Sequence, residues 1–227
     1  VAPDDLSAIG ATMLLSNIYH LMLRPGVNTV KEMGGLQTFM SWQGPILTDS
    51  GGFQNLSLKH LQNITEQGIA FRSHIDGSEH FLSPELSVEL QQTLGSDIAM
   101  VLDHCPQYGY PRSQIVEAME MTHRWAIRSK GAHHAPNQAL FGIIQGGTDA
   151  ELRIKSALSL MDIGFDGYAI GGLSIGETKN TMHKVVSSTS SLLPPNKPRY
   201  LMGLGSPEDI LESITNGIDM FDCVLPT

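Results

Sequence analysis

Three aspartates stand at positions where a carboxylate is costly. Asp49, Asp103 and Asp222 each follow or interrupt an apolar run, as in "ILTDSGG" and "MFDCVLPT". A buried carboxylate without hydrogen-bond donors costs on the order of several kcal/mol. Three acids on one face would suit a reaction at a carbon that becomes oxocarbenium-like: one attacks, a second moves protons and a third holds the leaving or entering group. Each acid could instead cap a helix or pair with a buried arginine.

Other side chains near these acids could bind a flat ligand. Gln145 in "IIQGG" offers a donor and an acceptor to the edge of a heterocycle, or it bonds to a loop backbone. The glycines of "IGGLSIGE", Gly171 and Gly172, admit a ligand close to the backbone, or they form a tight turn. Phe53 and Met202 could hold a ring between them, or they belong to the core.

The cysteines and histidines give weaker signals. Cys105 could be a nucleophile, but no triad spacing supports that role and a buried filler is the favoured interpretation. Cys105 and Cys223 lie far apart and in no CxxC pair, so the sequence predicts neither a zinc site nor a disulfide framework. His20 and His104 are further candidates for a site, although structural histidines are commoner.

The candidate residues must be presented by strands. Seven strand-length apolar runs recur along the chain, and most are too continuous for a strand with one wet face. Amphipathic stretches with helix start and stop signals, such as "SPELSVELQQTLG", lie between them. This alternation predicts a parallel sheet with helical crossovers. The runs begin at Ala11, Gly44, Ser96, Ala139, Gly167, Arg199 and Asp219.

Two α/β architectures compete, a (β/α)8 TIM barrel and an open doubly wound sheet. The chain has neither GxGxxG nor GxxxxGK[ST], and polar residues or glycines close nearly every predicted strand, which favours the barrel. A closed barrel needs eight strands, whereas seven are visible. The chain also opens without Met and stops after an apolar run. We therefore expect one catalytic barrel domain over residues 1–227, truncated at both ends.

Composition limits the possible classes of protein. The 227 residues are 41% hydrophobic and 16% charged, which is typical of a globular domain. No apolar stretch reaches the roughly 18 to 20 residues of a membrane span, so a cytoplasmic protein is expected. The net charge of −9 counts against a nucleic-acid partner, because phosphate binding draws on clustered Lys and Arg.

Six motifs together resemble the tRNA-guanine transglycosylases, also called queuine tRNA-ribosyltransferases. They are "NIYHLMLRPG", "GPILTDSGGFQ", "GIIQGG", "IGGLSIGE", "YLMGLG" and "DMFDCVLPT", and the resemblance runs from about Leu6 to the last residue. It implies base exchange at the wobble guanine of tRNAs with GUN anticodons (the Asp, Asn, His and Tyr type), in queuosine biosynthesis. Such a base must be flipped out to react, which is easier in an anticodon loop than in a duplex.

The resemblance also implies residue roles. Asp222 would attack C1′ of the ribose to form a covalent ribosyl-enzyme, and Asp49 would be the general acid/base. This double displacement retains configuration, as in retaining glycosidases. Phe53 and Met202 would be the stacking walls of the base pocket. The implied substrate-binding positions are Ser50, Phe53, Asp103, Cys105, Gln145, Gly171, Gly172, Leu173, Glu177, Met202 and Gly203.

Variation within the family bears on the incoming base. Bacterial members take preQ1, whereas eukaryotic members take the bulkier queuine and tend to have glycine at Ile175 and a valine-like residue at Cys105. The sequence therefore predicts a bacterial-type pocket for preQ1, with queuine as the alternative. The archaeal branch, with "TDSGSFQ"-like sequence, fits less well because Gly52 is present.

Family members continue past "LPT" into a CxCxxC…H zinc subdomain. Zinc is therefore expected in the full-length protein, with no ligand in this chain. Much of the basic tRNA surface would lie there too, which partly answers the negative charge. The family also implies a homodimer. Two alternatives stay open: a barrel hydrolase or lyase for a sugar or small carbonyl compound, and a non-catalytic accessory subunit, which would be expected to lack Asp222.

Overall fold

The computed structural model describes residues 2–52 and 62–225 of the chain. The chain divides into two compact units. The first takes its residues from 1–102 and 128–140, and the second from 103–127 and 141–227. Asp49 belongs to the first unit, and Asp103 and Asp222 belong to the second.

The first unit has a parallel sheet of three neighbouring strands in the order β1-β2-β6. Asn17 at the end of β1 lies opposite Asp49 at the end of β2. Every residue of β2 is buried, the polar Thr48 and Asp49 as well as the apolar Ile46 and Leu47. The strands are β1 (Leu14–Asn17), β2 (Ile46–Asp49) and β6 (Ile98–Met100).

Among the described residues, the helices α1 to α5, the end of a sixth helix and an antiparallel sheet also belong to the first unit. In α5, the hydroxyl of Ser83 accepts from the amide of Leu86, and Gly95 ends the helix at φ +74°, as the sequence predicts. The helices are α1 (Pro3–Ala8), α2 (Ile18–Leu23), α3 (Val27–Glu32), α4 (Leu36–Met40) and α5 (Pro84–Leu94). The antiparallel strands are β3 (Gln62–Thr65), β4 (Gly68–Arg72) and β5 (Glu79–Leu82).

The second unit alternates strands with helices. Its strands are parallel neighbours in the order β7-β8-β9-β10. The strands are β7 (Ala139–Ile144, the first two residues belonging to the first unit), β8 (Gly167–Ile170), β9 (Arg199–Leu201) and β10 (Met220–Phe221). The helices are α6 (Arg112–Ala132, with 128–132 in the first unit), α7 (Ala150–Ile163), α8 (Lys179–Ser190) and α9 (Pro207–Thr215).

The register of this second sheet decides which residues share its edge. Ile144 pairs with Ile170, Ile170 with Leu201, and Leu201 with Phe221. The residues that follow these four therefore stand side by side at the carboxyl ends of the strands, where (β/α) proteins place their chemistry. They are Gln145, Gly171, Met202 and Asp222.

The predicted fold class is confirmed. Among the described residues, seven strands run parallel, one in each of the seven apolar runs, and the helices follow the predicted stretches. This is an α/β fold consistent with a truncated TIM barrel. A single catalytic barrel domain over residues 1–227 stays a prediction. Within the described ranges, none of the helices combines the length and the hydrophobicity needed to cross a bilayer.

Candidate functional site

Asp49 is held at the end of β2 in the first unit. Its side chain is buried, and the amide of Asn17 donates from Nδ2 to Oδ2 at 2.8 Å. The backbone N–H of Ser50 donates to Oδ1, also at 2.8 Å. Asn17 is fixed in turn as the N-cap of α2, because its Oδ1 accepts from the amide of Tyr19. The carboxylate thus has the donors that its burial requires.

A buried polar network lies around this strand end. The hydroxyl of Thr48 donates to Oε1 of Gln91 at 3.0 Å and lies 2.7 Å from the hydroxyl of Ser96. Ser87 donates to the carbonyl of Ser50 at 3.1 Å. The buried Oγ of Ser50 has no hydrogen-bond partner among the described residues. Phe53, the expected stacking wall, lies outside the described residues.

Asp103 and Gln145 form a buried pair in the second unit. Nε2 of Gln145 donates to Oδ2 of Asp103 at 2.6 Å, and the two residues are 1% and 7% exposed. Burial raises the pKa of Asp103 to about 6, although the hydrogen bond from Gln145 acts in the opposite direction. Within the described ranges, Oε1 of Gln145 is buried and accepts no hydrogen bond. The pair therefore keeps hydrogen-bonding capacity for another polar group.

Gly171 and Gly172 allow Gln145 to lie against the backbone. A Cβ at Gly172 would stand 2.4 Å from Oε1 of Gln145, and a Cβ at Gly171 would stand 2.9 Å from its Nε2. Gly172 also has φ +66°, which disfavours other residues. The positive φ of Gly172 fits the interpretation as a tight turn, and the short Cβ distances fit a close approach to the backbone at both glycines. The close approach seen here is that of a protein side chain.

Cys105 lies beside this pair as a buried thiol. Burial raises its pKa to about 12, with the nearby carboxyl of Asp103 acting in the same direction. Its sulfur is 3.5 Å from the position of a Cβ at Gly172. A thiol protonated at neutral pH is a poor nucleophile, so the geometry favours a packing role.

The loop after β8 surrounds its own carboxylate. Glu177 accepts hydrogen bonds from the backbone amides of Ser174 and Ile175, the latter at 3.2 Å. Leu173 is buried, whereas Ile175 is half-buried. Ile175 also lines a cavity of the second unit.

A cavity of about 200 Å³ opens beside Gln145 within the second unit. This is below the range of about 300–1,000 Å³ that is typical for drug-sized ligands, and it suits a single small ring system. Its polar groups come from Gln145 and the loop around Tyr108, and Ile175 supplies an apolar wall. The lining residues are Pro106, Gln107, Tyr108, Gly109, Tyr110, Ile115, Gln145, Gly147, Thr148, Gly172 and Ile175.

Asp222 directly follows β10, and one of its carboxylate oxygens is held in place. Oδ1 accepts from the hydroxyl of Tyr200 at 2.5 Å and from the backbone N–H of Gly203 at 2.6 Å. Oδ2 accepts no hydrogen bond from the described residues. The register places Asp222 beside the half-buried Met202, on the strand edge that also carries Gln145. The second unit therefore carries a carboxylate oxygen, a thioether and an amide along one strand edge, with β8 and β9 between the strands that lead to Gln145 and Asp222. Met202 and Asp222 are not among the residues that line the cavity beside Gln145.

The two candidate histidines lie in different surroundings. His20 is exposed and contacts the ring of Tyr19 edge-on, with ring centroids 5.1 Å apart. The hydroxyl of Tyr19 lies 2.8 Å from Nδ1 of His74. His104 is half-buried, and its backbone N–H donates to Thr122. Partial burial lowers the pKa of both histidines, and the nearby His74 acts in the same direction on His20.

Comparison with known proteins decides the family. The family model described as queuine tRNA-ribosyltransferase matches residues 1–227. The chain belongs to this family. It is 56% identical over 227 residues to the queuine tRNA-ribosyltransferases of Halothermothrix orenii and Pelotomaculum thermopropionicum, and 54% identical to that of Dehalococcoides mccartyi strain BAV1. The alignments cover all of this chain but 61%, 61% and 58% of those proteins.

Membership of the queuine tRNA-ribosyltransferase family confirms the resemblance drawn from the six motifs, including its bacterial type. The chain spans about three fifths of the length of these relatives. In the part of it that the structure describes, no group of three or more His, Cys, Asp or Glu side chains could hold a metal ion. The zinc implied by the resemblance thus has no ligand set among the described residues.

The sequence did not predict two residues that hydrogen-bond to the candidate catalytic carboxylates of this family member. Asn17 donates to Asp49 and Tyr200 donates to Asp222. Both lie in strands paired with the strand of the acid that they contact. Their positions in the motifs "NIYHL" and "YLMGLG" indicate these contacts only when the order of the strands is known.

Proposed function

We propose that the full-length protein is a tRNA-guanine transglycosylase. It replaces guanine at the wobble position of tRNAs with GUN anticodons by preQ1, through a covalent ribosyl-aspartate. One observation carries the proposal beyond family membership: the buried pair of Asp103 and Gln145 stands on the same strand edge as a carboxylate, Asp222, that has an oxygen free to attack.

The first displacement breaks the bond between the base and the ribose. Oδ2 of Asp222 attacks C1′, and the C1′–N9 bond breaks with its electron pair going to guanine. Asp49 donates a proton to the leaving base, so the products are a ribosyl ester on Asp222 and neutral guanine. Tyr200 and Gly203 fix Oδ1 and thereby leave Oδ2 as the attacking atom.

The second displacement reverses these steps with the new base. Asp49, now ionised, takes the proton from N9 of the incoming deazaguanine, and N9 attacks C1′. The ester bond breaks and the carboxylate of Asp222 is regenerated. Two inversions retain the configuration at C1′, and the phosphodiester chain stays intact. The assignment of Asp49 rests on its motif and on its fixed, buried carboxylate.

Base recognition follows from the donors and acceptors of the buried pair. Guanine and its deaza analogues present N–H donors beside a carbonyl oxygen. Asp103 accepts from those N–H groups, and the second N–H of Gln145 Nε2 is available for the carbonyl, since an amide has two donors and one goes to Asp103. Ile175 at the cavity wall limits the substituent on the base, which favours preQ1 over queuine.

The direct test is base exchange by the full-length protein. Radiolabelled guanine and unmodified tRNA with a GUN anticodon are incubated with it, and we expect label in the tRNA. Unlabelled preQ1 should then chase the label out, whereas queuine should do so poorly. A tRNA with adenine at the wobble position is the control and should stay unlabelled. No incorporation with the GUN tRNA would refute the proposed reaction.

A further inference from the structure

Arg153 is a buried cation whose hydrogen bonds, among the described residues, go to backbone carbonyls and not to a carboxylate. It is 1% exposed and donates from Nε to the carbonyl of Gly147 at 2.7 Å and from Nη1 to the carbonyl of Ile144 at 2.8 Å. It forms no ion pair with any residue in the described ranges. Burial lowers its pKa to about 10, so it remains charged at neutral pH. The carboxylate of Glu177 favours the charged form of Arg153 without a hydrogen bond to it. A buried cation whose hydrogen bonds all go to neutral carbonyls is still costly, which calls for a reason beyond packing.

The two carbonyls that Arg153 contacts lie on either side of Gln145. Ile144 is the last residue of β7, and Gly147 belongs to the connection that leads into α7. Side chains on a helix lean toward its N-terminus, so a residue in the second turn of α7 reaches back to this connection. Arg153 thereby ties together the two ends of the segment 144–147.

Ser156 adds a third hydrogen bond from the same helix face. It follows Arg153 by three residues, which places both side chains on one side of α7. Its Oγ accepts from the backbone N–H of Gln145 at 3.1 Å and lies 3.0 Å from Nε2 of His123 on α6. The backbone of Gln145 is therefore held at its own N–H as well as at both flanks.

The segment has no room to shift toward the helix. A Cβ at Gly146 would stand 2.9 Å from the backbone of both Leu152 and Arg153, and the residue has φ +131°. The backbone of the connection thus lies directly on the first turns of α7. A side chain on such a segment has a fixed starting point, and only its own rotamers remain to be chosen.

We propose that Arg153 and Ser156 are positioning residues that hold the backbone of Gln145 so that its amide lies against Asp103 and meets the edge of the base. They act through Gln145 and do not touch the base. The inference rests on the proposed role of Gln145 in base binding.

The test uses variants of the full-length protein in the base-exchange assay, with KM measured separately for guanine and for tRNA. Arg153→Met should raise KM for guanine by about 10- to 100-fold and leave KM for tRNA unchanged, because displacing a positioning group by about 1 Å can cost on the order of 100-fold. Arg153→Lys should recover part of the loss. Lys155→Met removes an exposed cation from the same helix and is the matched control, which should behave as the wild type.

A double variant separates positioning from a general structural role. If Arg153 acts through Gln145, then Arg153→Met combined with Gln145→Ala should show the same KM for guanine as Gln145→Ala alone. A general loss of structure would instead raise the KM for guanine of the double variant above that of Gln145→Ala, and it would also change the KM for tRNA. Additive effects, or an unchanged KM for guanine in both Arg153→Met and Ser156→Ala, would overturn the inference.

Hydrogen–deuterium exchange provides a readout without activity. The backbone amide of Gln145 should exchange faster in Ser156→Ala and Arg153→Met than in the wild type, and at the wild-type rate in Lys155→Met. An unchanged exchange rate in both Arg153→Met and Ser156→Ala would overturn the inference. If Arg153→Met fails to fold, Ser156→Ala alone still provides the test, because it removes only a hydroxyl. If the wild type incorporates no guanine, the proposed function fails, and the exchange rate still decides whether the backbone is held.

Discussion

Replacing Asp103 by asparagine should stabilise the protein at neutral pH while weakening base binding. The carboxyl is buried, and this burial raises its pKa from the ordinary 3.8 to about 6. Asparagine has nearly the same shape, and its Oδ1 can still accept the hydrogen bond that Gln145 donates at 2.6 Å. Asp103→Asn therefore removes a buried charge and leaves the contact in place.

The size and pH range of the effect follow from this pKa. Below about pH 4 the carboxyl is protonated in both the folded and the unfolded chain, and it costs nothing. Between about pH 4 and 6 the unfolded chain loses the proton while the folded one keeps it, so the free energy of unfolding falls as pH rises. The folded and unfolded pKa values differ by about 2, and each pH unit corresponds to roughly 1.4 kcal/mol. Above about pH 6 the buried charge therefore lowers the free energy of unfolding by its full amount, about 3 kcal/mol.

Urea unfolding of the full-length wild type and Asp103→Asn at pH 4, 6 and 8 measures this difference. We expect similar stability at pH 4 and a more stable variant at pH 8, by up to about 3 kcal/mol. The KM of the variant for guanine should rise by about 100-fold, because hydrogen bonds to a charged acceptor are lost. A stability difference that does not change with pH, or a variant less stable at pH 8, would refute the reasoning.

Three further predictions concern the proposed base pocket. Gly172→Ala should raise KM for guanine by at least about 10-fold, because its Cβ would stand 2.4 Å from Oε1 of Gln145. Gly95→Ala is the control: it has a similar φ of +74° and no atom of the described residues within 4 Å of the new Cβ, so it should lower stability only. Ile175→Gly should shift the kcat/KM ratio toward queuine and away from preQ1 by about 10-fold, by removing bulk from the cavity wall; an unchanged ratio would mean the wall is wrongly assigned. The KM for guanine should rise by about tenfold per pH unit below about pH 6, where Asp103 becomes protonated, and a slope that persists in Asp103→Asn would exclude this carboxyl as its source.

The parallel strands could be predicted because each is buried on both sides. Their apolar runs are continuous and end in polar residues or glycine, so periodicity and position agree. The antiparallel strands β3 to β5 were missed, since segments such as "GIAFR" are short and find their partners only through pairing. The helices α1 to α4 have five or six residues each, too few for a clear helical pattern.

The candidate site was predictable where a residue's chemistry conflicts with its surroundings. A carboxylate after an apolar run, as at Asp222, is such a conflict. Asn17 and Arg153 give no comparable signal, because their roles depend on contacts made after folding. Asn17 meets a carboxylate 32 residues away along the chain, and Arg153 binds backbone carbonyls whose orientation no side chain encodes. The pairing of strands and the docking of α7 create these contacts.

The proposed reaction requires a covalent bond between Asp222 and C1′ of the tRNA ribose, and that bond can be observed directly. The full-length protein is incubated with GUN tRNA and a base analogue that traps the intermediate, digested with nuclease and protease, and analysed by mass spectrometry. We predict a ribosyl mass on the peptide that contains Asp222, and neither adduct nor base exchange in Asp222→Ala. An adduct that survives in Asp222→Ala, or one found on the peptide with Asp49, would contradict the proposed mechanism.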